Sequence, residues 1–106
     1  MGEQDIQQLS FIEQNLAAVS QQRQAHQRQI LEIENAITQL ETVKEGYEIV
    51  GSIMVKKDSA NIKISLEEKK ETHKARVSSL EKQEQTLRTK AKELQEKVMA
   101  KLEKKE

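Results

Sequence analysis

The chain has 106 residues, enough for one structural unit, with 35% hydrophobic residues, two aromatics (Phe11 and Tyr47) and neither proline nor cysteine. So small a fraction of large apolar side chains argues against a compact core around one centre, and the missing cysteines exclude disulfide frameworks and thiolate metal sites. Net charge is zero, from 18 basic and 18 acidic residues; no nucleic-acid partner is expected, because Lys and Glu alternate in the basic second half and no aromatic there can stack on bases.

The first element is predicted as a helix over about residues 3–45. Its apolar seam runs Leu9, Ile12, Leu16, Val19, Arg23, His26, Ile30, Ile33, Ile37 and Leu40, in alternating steps of three and four. A 3.5-residue repeat keeps a narrow stripe facing a partner helix, the mark of a coiled coil. Gly46 is a plausible stop for this helix.

The middle, residues 47–65, breaks the repeat and reads as a β-hairpin. Tyr47, Ile49, Gly51, Ile53 and Val55 alternate with Val50, Ser52, Met54 and Lys56. A polar turn is expected at Lys57–Ala60, with Ile62 and Ile64 alternating on a second strand. One hairpin is marginally stable alone and leaves two open edges. Its apolar residues Ile49, Val50, Ile53, Met54, Val55, Ile62 and Ile64 are therefore the expected oligomer interface.

The last element is predicted as a second helix over about residues 66–105. Ser65 and Glu68 have the spacing of a capping box, and Lys101, Lys104 and Lys105 stand at the end where the helix dipole favours cations. The seam continues through Leu66, Lys70, His73, Val77, Leu80, Glu84, Leu87, Ala91, Leu94 and Val98. The two halves carry opposite charge: residues 1–42 hold two basic and six acidic side chains, residues 66–106 twelve and nine. An antiparallel pairing of the helices follows, in a register that faces His26 with Glu84 and leaves Arg23 nearby. Buried polar residues of this kind can fix a register; the other reading is that Arg23 and Glu84 reach out to water.

Where both helices end, Ile6, Leu9, Phe11, Ile12, Val98, Met99 and Leu102 come together. Phe11, Met99 and Leu102 fall off the seam, so helix pairing does not bury them. Clustered exposed apolar groups mark a contact surface, and flexible Met and Leu suit varied partners.

Little chemistry is expected. The register places His26 and His73 far apart, so no metal site and no cofactor are expected. Gly46 and Gly51-Ser52 lack the lysine of a phosphate loop. A paired-helix chain offers no enclosed pocket to perturb a catalytic group, so no catalytic residues are assigned. No apolar run approaches the ~20 residues of a membrane span, and the N-terminus lacks the basic and apolar regions of a signal peptide. Cytoplasm is the expected compartment.

The order helix–hairpin–helix, together with EGYEIVGSIMVKKDSANIKISLEEKKE and SLEKQEQTLRTKAKELQEKV, resembles the β-type subunits of archaeal prefoldin. The resemblance rests on Tyr47, Val50-Gly51, Ile53, Val55-Lys56-Lys57, Leu66-Glu67-Glu68-Lys69 and Leu80-Glu81-Lys82-Gln83-Glu84. It implies a mostly α fold whose hairpins join into an oligomeric β-barrel platform of two α-type and four β-type subunits. It also implies an ATP-independent holdase that grips non-native proteins at its coiled-coil tips and delivers them to a group II chaperonin. A coiled-coil scaffold without chaperone activity, binding one folded partner helix, is the alternative.

Overall fold

The computed structural model describes residues 2–104, in which four elements follow in order: α1 (Gly2–Leu40), β1 (Glu45–Val50), β2 (Ile53–Asp58) and α2 (Ser59–Lys104). The expected helix end at Lys105 lies outside the described residues, as does the Lys105 charge. The long elements are helical because good helix formers fill them without proline and with an apolar residue every three or four positions. After Leu40 the chain tightens into bonds between residues three apart, Glu41 N to Thr38 O, Thr42 N to Gln39 O and Val43 N to Leu40 O. The Thr42 hydroxyl also donates to Gln39 O at 3.0 Å, so late carbonyls of α1 keep partners as the helix ends.

The hairpin differs from the expectation. It turns at Gly51-Ser52, with Val50 opposite Ile53 and Glu45 opposite Asp58. Gly51 has φ +64° and, among the described residues, no non-glycine residue has positive φ, the pattern of a two-residue turn with glycine first, whose twist matches the flanking strands. Lys57-Asp58-Ser59-Ala60 is not a turn but the passage from β2 into α2. Asp58 stands at the N-cap position, where aspartate is favoured, and Ser59 N donates to Lys44 O at 2.9 Å, closing the hairpin base. Ser65 is thus inside α2, not its cap, and Glu67, Glu68 and Glu71 lie beyond its first turn.

Ile62 and Ile64 are therefore helical. Their alternation fits a strand, but Ile62 also stands four residues before Leu66 on the seam, and packing selects that phase. Ile62 is 5% exposed while Ile64, on the outer face, is 58% exposed. The faces of the hairpin change as well. Antiparallel partners share a face, so Tyr47 and Ile49 lie with Met54 and Lys56, while Gly46, Glu48 and Val50 lie with Ile53, Val55 and Lys57.

Packing divides the chain into two units, residues up to Gln24 with those from Ser78 onward, and Ala25–Val77. In the first, α1 and α2 run antiparallel, as the Asp5–Lys101 and Arg23–Glu84 pairs require. Leu80 and Ala91 are buried there, with Leu9, Ile12, Leu16, Val19, Leu87, Leu94 and Val98 half-buried along the seam. Glu84, only 4% exposed, accepts from Arg23 Nε at 2.5 Å and faces Arg88 at 3.5 Å. In the second unit, Ile33, Ile37 and Ile62 are buried, and Glu34 pairs with Lys70 at 3.5 Å. Gly46 is held close to this core, since a Cβ there would lie 2.9 Å from Ile62 Cδ1 and 3.1 Å from Leu40 Cδ2.

The earlier reversal of the chain changes the polar partners. Glu84 meets Arg23 rather than His26. His26 meets His73, with the two Nδ1 atoms 2.8 Å apart and the ring centroids 5.1 Å apart. The expected separation of the histidines is therefore incorrect; it followed from a hairpin drawn too long.

Candidate functional site

Two surfaces expose apolar side chains that the fold itself does not use. The first lies in the first unit, where α1 begins and α2 ends. Ile6, Phe11, Met99 and Leu102 are all more than half exposed, Phe11 at 64%. Leu9, Ile12 and Val98 lie half-buried on the seam. The seven residues thus separate into four that face solvent and three that hold the helices together. Gln4, Gln7 and Gln8 line a shallow groove with Phe11 and Ile12. This mixed face can accept both an apolar side chain and the amide backbone of an extended polypeptide.

Beside it is an ion pair that the sequence reading missed. Lys101 Nζ donates to Asp5 Oδ2 at 2.6 Å, and Asp5 is buried. The hydrogen bond from Lys101 holds the Asp5 carboxyl below its ordinary range, and the positive charges of Lys101 and Lys97 act in the same direction against desolvation. The signal was present: Asp5 is four residues before Leu9 and Lys101 three after Val98, so both continue the seam in phase. Their charges also suit the helix dipoles, an acid near the start of α1 and a base near the end of α2.

The second surface is the hairpin. Ile49, Val50, Ile53, Met54 and Val55 are exposed on the two faces of a two-stranded sheet, with Tyr47 beside them. Each strand has one neighbour, which leaves a row of backbone donors and acceptors open on either edge. Ile62 and Ile64 are not part of this surface. Cross-strand ion pairs, Glu45–Lys56 at 2.9 Å and Glu48–Lys57 at 2.8 Å, fix the strand register. The hydrogen bond from Lys57 lowers the Glu48 pKa, helped by the charges of Lys57 and Lys69 and a hydrogen bond from Ser65. Glu48 thus ties the hairpin to the first turns of α2.

Among the described residues, no three His, Cys, Asp or Glu side chains group as metal ligands, and no helix is long and apolar enough to cross a membrane. What the two surfaces offer is contact.

Comparison with known proteins gives one answer at each level. Residues 3–105 match the prefoldin subunit family. Prefoldin subunit beta of Thermococcus onnurineus is 40% identical over 98 residues, which cover 90% of this chain and 84% of that one. Prefoldin subunit beta of Pyrococcus horikoshii is 36% identical over 98 residues, with the same coverage, 90% and 84%. The crystal structure of the prefoldin beta subunit from Thermococcus strain KS-1 superimposes with a TM-score of 0.88 at 32% identity, over 95% of this chain and 91% of that chain.

Proposed function

Because the chain belongs to the prefoldin family, we propose that it is a β-type subunit of an ATP-independent holdase. It captures non-native proteins at Ile6, Phe11, Met99 and Leu102, with Leu9, Ile12 and Val98 behind them. The observation that carries this reading is the exposure of those four apolar side chains at the paired helix ends. An unfolded client presents apolar segments without fixed shape, and a face of Leu, Ile, Met, Phe and Gln can accept many of them.

Each contact is weak. A few exposed side chains contribute only a few kcal/mol at ~25 cal/mol per Å2 of apolar area. Useful affinity then needs several copies on one assembly, where linkage raises the effective concentration. The hairpin supplies the means. Ile49, Val50, Ile53, Met54 and Val55, with two open strand edges, suit addition of further strands. In this reading the hairpins of two α-type and four β-type subunits join as a β-barrel platform in the cytoplasm. The clients pass on to a group II chaperonin. Holding requires no nucleotide, because binding a client's unfolded state lowers the concentration free to aggregate.

Photo-crosslinking separates the two surfaces. With an α-type partner present, a photoreactive residue at Phe11 or Leu102 is expected to capture a chemically unfolded client without ATP. The same residue at Ile49 is expected to capture other subunits. Capture of one folded partner along the helices, with no client at the tip, would support the scaffold reading instead.

A further inference from the structure

We infer that His26 and His73 form a site for one first-row divalent transition-metal ion, of the Zn2+ or Cu2+ class, that ties α1 to α2 within the Ala25–Val77 unit. These are the chain's two histidines, and each occupies a seam position. Both are half-buried, and their Nδ1 atoms converge to 2.8 Å with the rings tilted by 47°. Without metal, one Nδ1–H donates to the other ring's lone pair.

The same convergence brings two potential metal ligands within reach of one ion. If the donor ring moves its proton from Nδ1 to Nε2, both Nδ1 lone pairs face inward. This tautomer change conserves protons, so a neutral pair takes the ion without releasing one. Metal–nitrogen bonds of about 2.0–2.1 Å at a tetrahedral angle set the nitrogens roughly 3.3 Å apart. The nitrogens need to part by about half an ångström and the rings to swing so that both lone pairs meet at the ion, a change made by side-chain rotation.

The surroundings fit an open site. Ile30 and Val77, one turn further along each helix, are half-buried apolar walls. The charge of Lys70, one turn before His73, is offset by Glu34 at 3.5 Å. No third His, Cys, Asp or Glu completes a cluster among the described residues, so water fills the remaining positions and the ion bridges two helices rather than filling a closed cage. Imidazole suits Cu2+, Zn2+ and Ni2+, with Cu2+ held most tightly.

Such an ion binds the converged pair of the folded chain more tightly than the separated histidines of the unfolded one, so it stabilises by linkage. Calorimetry of the tag-free full chain with Zn2+ tests this. At free Zn2+ about a hundred times the dissociation constant, Tm is expected to rise by about 10 °C. The rise saturates at one ion per chain and disappears in His26→Gln and in His73→Gln, whose helicity in EDTA serves as the folding control. Cu2+ at one equivalent is expected to show EPR coupling to two imidazole nitrogens in the parent chain, a readout that does not depend on the variants folding. No Zn2+-dependent rise, an equal rise in both variants, or Cu2+ coupled to fewer than two nitrogens would overturn the assignment.

Discussion

Lys101 Nζ lies 2.6 Å from Asp5 Oδ2, fastening the end of α2 to the start of α1 beside Ile6 and Leu102. Helix ends fray without tertiary partners. This pair holds them together while the neighbouring apolar side chains remain exposed. The apolar residues proposed to face clients are thus displayed on paired helices.

The ion pair makes the helix ends acid-sensitive. Asp5 has a lower pKa in the folded chain than its ordinary 3.8. Its contribution is therefore complete above that value and is lost as pH falls through the depressed folded value. Glu48, lowered from 4.5, follows the same sign at the hairpin. Amide exchange at residues 3–9 and 97–103, compared with the Leu80 region, is expected to accelerate selectively below about pH 4. Asp5→Asn is expected to show the faster exchange already at pH 7.

Ile62 and Ile64 give a direct test of where the hairpin ends. Ile62→Ala opens a cavity under Gly46 and is expected to cost about 2–4 kcal/mol. Ile64→Ala, on the exposed face of α2, is expected to stay within about 0.5 kcal/mol. Urea midpoints read both. Equal losses would place the two residues as the sequence alone suggested, on a strand.

That contrast shows what the sequence could and could not reveal. The seam was legible because a 3.5-residue repeat sustained over many turns has no competing reading: every expected seam residue from Leu9 to Leu40 and from Leu66 to Val98 is buried or half-buried. The hairpin's existence was legible from its β-branched run. Its turn was not, because Lys57-Asp58-Ser59-Ala60 is the more polar stretch, while Gly51-Ser52 is only two residues flanked by Val50 and Ile53. Ile62 and Ile64 compounded the error, since a short apolar run fits period two and a helix face equally well. From that one turn followed the misplaced cap at Ser65 and the separation of His26 from His73. The exposed apolar residues at the helix ends were found because Phe11, Met99 and Leu102 break the seam's phase. The Asp5–Lys101 pair was not legible because charged side chains carry the seam's phase past its last apolar residues, Leu9 and Val98, where an apolar pattern does not mark them.

The turn itself is testable. Gly51 sits at φ +64° with open space around its Cα, so Gly51→Ala is expected to cost about 1–2 kcal/mol from backbone strain alone. Gly46 has the opposite constraint, a crowded site without positive φ. Alanine there meets only the flexible ends of Ile62 and Leu40. Gly46→Val is expected to cost about 1–3 kcal/mol by overpacking. Denaturant titration of the two variants separates strain from crowding.

Glu84 and Arg23 form a polar layer within the first unit. Glu84→Leu alone leaves the partly buried Arg23 without this acceptor and is expected to cost about 2 kcal/mol or more. Adding Arg23→Leu is expected to recover most of the loss, because a buried ion pair and an apolar pair of similar volume are often close in stability. A double-mutant cycle measured by thermal unfolding gives the coupling.

The central claim is that exposed apolar side chains at the helix ends hold non-native proteins. Light scattering tests it most directly, following a denatured model protein diluted into buffer without ATP in the presence of this chain assembled with an α-type partner. The parent assembly is expected to suppress the scattering. A variant carrying Ile6→Ser, Phe11→Ser, Met99→Ser and Leu102→Ser is expected to assemble equally well, by sedimentation, yet lose most of that protection. Full protection by this variant, or none by the parent assembly, would contradict the account.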